Sequence, residues 1–233
     1  MTGPHRGPYI QTSRTHSQRR PSRFHLMFDH RSFIRFAGLF EASLAILAVS
    51  IGWLAGITPG VLTPDLTSLA VGVGATLPLI GLYYASIWVP FAPFRRIHEL
   101  LIVTLGRPLA TCRWHEIALL AVLAGVCEEL LFRGALQPLL SRLGEPTGVV
   151  GTNLLFGLAH SVTPTYFLFA TVIGFYLSGV QFLGGGLVAP ILAHALYDWF
   201  AFVQIAKAYR KRVEAGDEPP NPFAMDMDES EGP

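Results

Sequence analysis

The 233-residue chain is 51% hydrophobic and only 14% charged, with a mean hydropathy of +0.44. Soluble domains carry about 25% charged residues, so this composition excludes an ordinary soluble domain and points to a one-domain integral membrane protein. The net charge of +1 hides an uneven distribution: seven arginines precede Phe36 and seven acidic residues follow Val213. The cysteines, Cys112 and Cys127, are too few for a disulfide framework and lack CxxC spacing, and Cys127 reads as a small apolar core residue.

In chain order, residues 1–31 are rich in Pro, Ser, Thr, His and Arg, and Asp29 is their only acid. Such a segment cannot build a core and reads as a disordered basic tail, with an organellar transit peptide as the alternative. A first span is expected at 36–57, with Glu41 in its first turns either snorkelling or facing another helix. A turn at 58–65 leads to a second span at 66–90. Residues 91–113 flank a short apolar run (100–105) with Arg95, Arg96, Arg107 and Arg113, and read as an interfacial amphipathic helix or loop.

A third, long span is expected at 114–140, and a turn at Gly144-Glu145-Pro146 follows it. A fourth span begins near Thr147 and contains Phe156 and His160. After a breaker at 161–165 come a fifth span at 166–183, a turn at Gly184-Gly185-Gly186 and a sixth span at 187–206. The expected fold is thus all-α, a polytopic transmembrane bundle of about six spans plus an interfacial helix. Its domain runs over 32–206, and residues 207–233 form a disordered acidic tail. Basic residues gather in the N-terminal tail, the 91–113 segment and 207–212, which predicts both termini on the cytoplasmic side. The expected surroundings are a lipid bilayer and a membrane-associated protein or peptide; no nucleic acid is expected, and the sequence does not reveal an oligomeric state.

The third span holds Glu128-Glu129-Leu130-Leu131-Phe132-Arg133 inside an apolar run. Each charge near a bilayer centre costs roughly 2.5–3.5 kcal/mol, and spanning a membrane needs none of them. Glu129 and Arg133 stand four apart and share a helix face, so they are expected to form a structural ion pair. Glu128 is turned away, free to react. The competing reading makes all three structural. On the fourth span His160 follows Phe156 by four, and on the sixth His194 precedes Asp198 by four. Either could be a structural contact, or Asp198 could fix the His194 tautomer, or both could bind a metal.

A desolvated carboxylate is a better general base, so Glu128 is the candidate that activates water together with His160. His194 could donate to the oxyanion of a tetrahedral intermediate. Gly-x-Ser-x-Gly and His-Glu-x-x-His are both absent, which speaks against serine hydrolases and ordinary zincins.

Glu128-Glu129-x-x-x-Arg133, Phe156-x-x-x-His160 and His194-x-x-x-Asp198, in that order on separate spans, resemble the CPBP family of intramembrane proteases, also called the CAAX protease and bacteriocin-processing family. The resemblance covers about 114–202. It implies a glutamate-dependent endopeptidase in which Glu128 is the base, His160 helps it activate water, and His194 with residue 198 stabilises the oxyanion. The prenyl-protease branch has asparagine where this chain has Asp198, and an ionised aspartate cannot donate to an oxyanion. Asp198 is then protonated, orients His194 or binds a metal. This departure puts prenylated substrates in doubt and fits bacterial members, hence a bacterial plasma membrane. The family is classed as metalloproteases, so His160, His194, Glu128 and Asp198 are candidate ligands for a divalent ion such as zinc, with metal-independent catalysis as the alternative. The competing functions are a non-catalytic immunity or scaffold protein of this fold and a proton-coupled transporter. Transport is disfavoured by the lack of an inverted repeat with broken helices.

Overall fold

Every turn between the expected spans becomes a helix boundary in a computed structural model of the chain. The structure describes residues 30–58, 60, 62–217 and 219. These residues form seven helices and contain no strand. They are α1 (His30–Ala55), α2 (Leu66–Trp88), α3 (Ala92–Thr111), α4, α5 (Glu145–Ala159), α6 (Pro164–Gly184) and α7 (Val188–Glu214). Helix α4 is composite: an α-helical stretch Trp114–Glu129, a π-helical segment Leu130–Leu136 and a last turn Gln137–Ser141. The expectations for the tail before residue 30 and for most of the acidic end lie outside the described residues.

The architecture is the polytopic helical bundle expected from the hydropathy pattern. Four of its helices, α1, α2, α6 and α7, are long and apolar enough to cross a membrane. The two other expected spans differ for separate reasons. Helix α5 has 15 residues, about 22 Å, which is short of the ~30 Å hydrocarbon thickness. Helix α4 is long enough but carries Glu116, Glu128, Glu129 and Arg133. Helix α3 takes the place of the expected interfacial segment. It buries Ile97, Ile102 and Leu109, while Arg95, Arg96 and Arg107 face outward.

Three boundaries differ from the sequence reading. Helix α1 starts at His30, inside the segment expected to be a disordered tail and six residues before the expected first span. Residues 207–214, placed in a disordered tail, continue α7 as helix. There Arg212 pairs with Glu99 of α3 through both guanidinium nitrogens at 2.5 Å, and Arg210 donates to the Ala110 carbonyl at 2.8 Å. These bonds hold the extension against α3. His160 lies not inside its helix but one residue beyond it, as the C-cap of α5.

Local chemistry sets the other helix ends. The Ser68 N–H donates to Asp65 Oδ1 at 2.7 Å and the Asp65 N–H donates to Ser68 Oγ at 3.0 Å, a reciprocal cap that starts α2. The Tyr166 N–H donates to Thr163 Oγ1 at 3.1 Å to start α6. Gly185 ends α6 in the left-handed region at φ 69°, where a side chain would be strained.

The surface is apolar on its outside, with Trp53, Leu66, Trp88 and Phe182 all more than three-quarters exposed. An aqueous protein seldom exposes so much apolar area, whereas a bilayer covers it. The inside is tighter and more polar. A Cβ at Gly125 of α4 would stand 2.8 Å from the Ala195 nitrogen of α7, so only glycine allows these two helices their closest approach. That contact sets the Glu128-Glu129 turn against the His194 turn.

Candidate active site

The π-helical segment begins directly after Glu129 and carries Arg133. Such widened turns often mark functional sites, because the extra residue re-aims side chains along the helix. Glu129 and Arg133 are both fully buried, and Arg133 Nη1 donates to Glu129 Oε1 at 3.0 Å, the pairing expected from their spacing. Arg133 Nη2 donates to Asn153 Oδ1 at 3.1 Å and to the Gly174 carbonyl at 2.8 Å, and the guanidinium lies 4.7 Å from the Phe156 ring centre. Asn153 in turn donates to the Val149 carbonyl at 2.9 Å and to Ser178 Oγ at 3.0 Å. The arginine thus ties α4 to α5 and α6. Asn153 and Gly174 carry no motif of their own; their part is visible only once the helices pack.

Glu129 has a second partner. His194 Nδ1 lies 2.9 Å from the same Oε1, and since a carboxylate oxygen only accepts, Nδ1 carries the proton. Glu129 therefore fixes a proton on His194 Nδ1. Asp198 stands on the other side of the ring, its Oδ2 3.5 Å from Nε2, and both residues are largely buried. This extends one sequence expectation: Glu129 does more than neutralise Arg133, since it also holds the His194 nitrogen opposite the one that faces Asp198.

Glu128 is also buried, and its Oε2 has no hydrogen-bond partner. His160 Nε2 approaches that oxygen to 3.7 Å, too far for a direct hydrogen bond. His160 Nδ1 lies 2.8 Å from the Phe156 carbonyl, again an acceptor, so Nδ1 holds a proton and Nε2 is left facing Glu128. Phe156 does more than mark a motif. Its ring packs on His160 at 4.6 Å, on Phe132 at 5.0 Å and on His194 at 6.1 Å between centres, wedging the two histidines apart.

A cavity of about 130 Å³ opens beside this cluster. His160, His194 and Asp198 form part of its polar wall, and the rest is largely aliphatic and aromatic, including Tyr83, Phe94 and Phe169. An apolar cavity with a few convergent polar groups is the usual form of a ligand site.

Glu41 joins the site from α1. It precedes Leu44 and Ala48 by three and seven residues, the spacing of one helix face, and those two pack on Leu131, Phe132 and Phe156. Its carboxylate lies within electrostatic range of Glu128, Asp198 and His194, and its Oε2 is buried with no hydrogen-bond partner. Spacing alone could have put Glu41 on the face of Leu44; which helix that face meets is a tertiary fact.

Whether a metal fits here depends on the donor atoms. Among the described residues, one group of three donors gathers within 4.8 Å, and it is His30, Cys112 and Glu116. Glu128, His160, His194 and Asp198 form no such group, and both His194 nitrogens already face carboxylates. The steps below therefore use only the side chains of this cluster.

Comparison with known proteins supports the motif reading. The model of the family described as Rce1-like, type II CAAX prenyl endopeptidase, matches residues 111–200, which contain all three motif blocks. The comparisons with curated proteins and with solved structures returned no match. The matched segment, which holds Glu128, His160, His194 and Asp198, is thus similar to the CAAX prenyl endopeptidases over somewhat more than a third of the chain.

Proposed function

We propose that the protein is an intramembrane endopeptidase that hydrolyses a peptide bond of a membrane-associated protein or peptide with water activated by Glu128. The observation that carries this reading is the unpartnered Glu128 Oε2 facing His160 Nε2 across 3.7 Å, a gap that one water can bridge. Glu128 takes a proton from that water while its oxygen attacks the carbonyl carbon. His160, fixed by the Phe156 carbonyl, orients the water through Nε2. The tetrahedral oxyanion is met by His194, held by Glu129 and carrying its second proton on Nε2. Glu128 then delivers its proton to the amide nitrogen and the carbon–nitrogen bond breaks. Asp198 faces the same nitrogen of His194 and helps hold that proton until the oxyanion forms. The apolar cavity supplies the dry setting in which these charges act strongly.

The test is cleavage of a membrane-anchored reporter peptide by protein in lipid nanodiscs, with farnesylated and unprenylated versions in parallel. Glu128→Gln and His160→Ala should each lower the rate by roughly 10²–10⁴-fold. Wild-type cleavage that survives both substitutions would end this assignment. The two peptides separate a prenyl-dependent enzyme from a broader one.

A further inference from the structure

Three helix ends meet away from the motif residues. His30 opens α1, Cys112 closes α3 and Glu116 sits in the first turn of α4. An imidazole nitrogen, the thiol sulfur and a carboxylate oxygen from these residues all lie within 4.8 Å of one another. Ordinary interactions explain part of this: His30 Nε2 is 2.8 Å from Glu116 Oε2, which also accepts from the Arg113 N–H at 2.7 Å. They do not require a buried thiol at the third corner, which donates weakly to the Pro108 carbonyl at 3.4 Å.

We propose that His30, Cys112 and Glu116 form a binding site for a zinc-class divalent cation, distinct from the catalytic cluster and joining the start of α1 to the α3–α4 corner. A sulfur, a nitrogen and an oxygen donor are the mixed set that zinc and cobalt(II) accept, with a water completing four-coordination. A thiolate and a carboxylate together neutralise the two positive charges. Tetrahedral bonds to these donors set them roughly 3.3–3.8 Å apart, so side-chain rotation must draw the three slightly closer. Burial pushes the Cys112 thiol up to about 11, so it enters as a thiol. A bound cation takes its place on the sulfur, and the displaced proton goes to solvent. The bond would close a loop of 86 residues between His30 and Glu116, the kind of closure that restrains an unfolded chain.

The experiment uses the full chain in nanodiscs, stripped with a chelator and titrated with cobalt(II). The expected result is one cobalt per chain, a near-ultraviolet thiolate-to-cobalt charge-transfer band, and its loss when zinc is added. Cys112→Ser should abolish the band and His30→Ala should weaken binding at least tenfold, while Cys127→Ser and the pair Glu128→Gln with His160→Ala should leave it intact. Zinc should raise the thermal midpoint of the wild type and not of Cys112→Ser. The proposal is overturned by no band in the wild type, by saturation only at millimolar metal, or by a band that survives Cys112→Ser or vanishes with Cys127→Ser. His30 begins its helix and is one-third exposed, so His30→Ala keeps the test decisive if the cysteine variant does not fold.

Discussion

At Glu129 one carboxylate oxygen accepts from Arg133 at 3.0 Å and from His194 at 2.9 Å, so a single side chain joins the buried arginine to the His194 imidazole. Removing it leaves Arg133 uncompensated in a dry interior, which costs about 3–5 kcal/mol. Glu129→Ala is therefore expected to lower the unfolding midpoint sharply as well as activity, whereas Glu128→Gln lowers activity at a nearly unchanged midpoint. Denaturant titration beside turnover separates the two, and equal loss of stability in both variants would refute this division of the pair. Asp198 allows a finer test. With the His194 Nδ1 proton held by Glu129, an amide at 198 can donate to the oxyanion itself, so Asp198→Asn should keep kcat within tenfold of wild type. A collapse of kcat in that variant would mean that the carboxylate is required chemically.

Helix packing turns these side chains into a site. The α4–α7 contact at Gly125 leaves no room for a Cβ, which would lie 2.8 Å from the Ala195 nitrogen. Gly125→Ala should cost about 1–3 kcal/mol through overpacking and should lower kcat more than tenfold, because it moves the glutamates relative to His194. Gly174 plays a similar part for Arg133: a Cβ there would sit 2.8 Å from Asn153 Oδ1, the oxygen that accepts from the guanidinium, and 3.4 Å from Arg133 Nη2 itself. At the start of α2 the Ser68 N–H holds the Asp65 carboxyl below its ordinary range. A depressed carboxylate adds stability above its unfolded value and loses that contribution as pH falls through the folded one. The thermal midpoints of wild type and Asp65→Ala should thus differ near neutrality and converge in acid. A gap that stays constant would show that the cap does not act through the ionised carboxylate.

Over the whole molecule the polarity is reversed: exposed apolar side chains cover the outside, while Glu128, Glu129, Arg133 and His194 are buried within. Exposed arginines and lysines lie on α3 and on the far end of α7, the face expected toward the cytoplasm. Reporter fusions at the two termini should both report that side; opposite readings would exclude an even number of crossings. The sequence by itself determined that the chain is a membrane-embedded helical bundle, because hydropathy and helix punctuation are local properties. It also marked Glu128, Glu129, Arg133, His160, His194 and Asp198, because charge inside an apolar run needs a reason. Their partners were decided by the tertiary structure. Glu129 reaching His194, Arg133 reaching Asn153 and Gly174, Glu41 facing the site and three helix ends bringing His30, Cys112 and Glu116 together all join residues far apart in the chain. The physical reason is that such contacts depend on which helix faces meet and how closely their glycines let them approach, and no local pattern of residues carries that information.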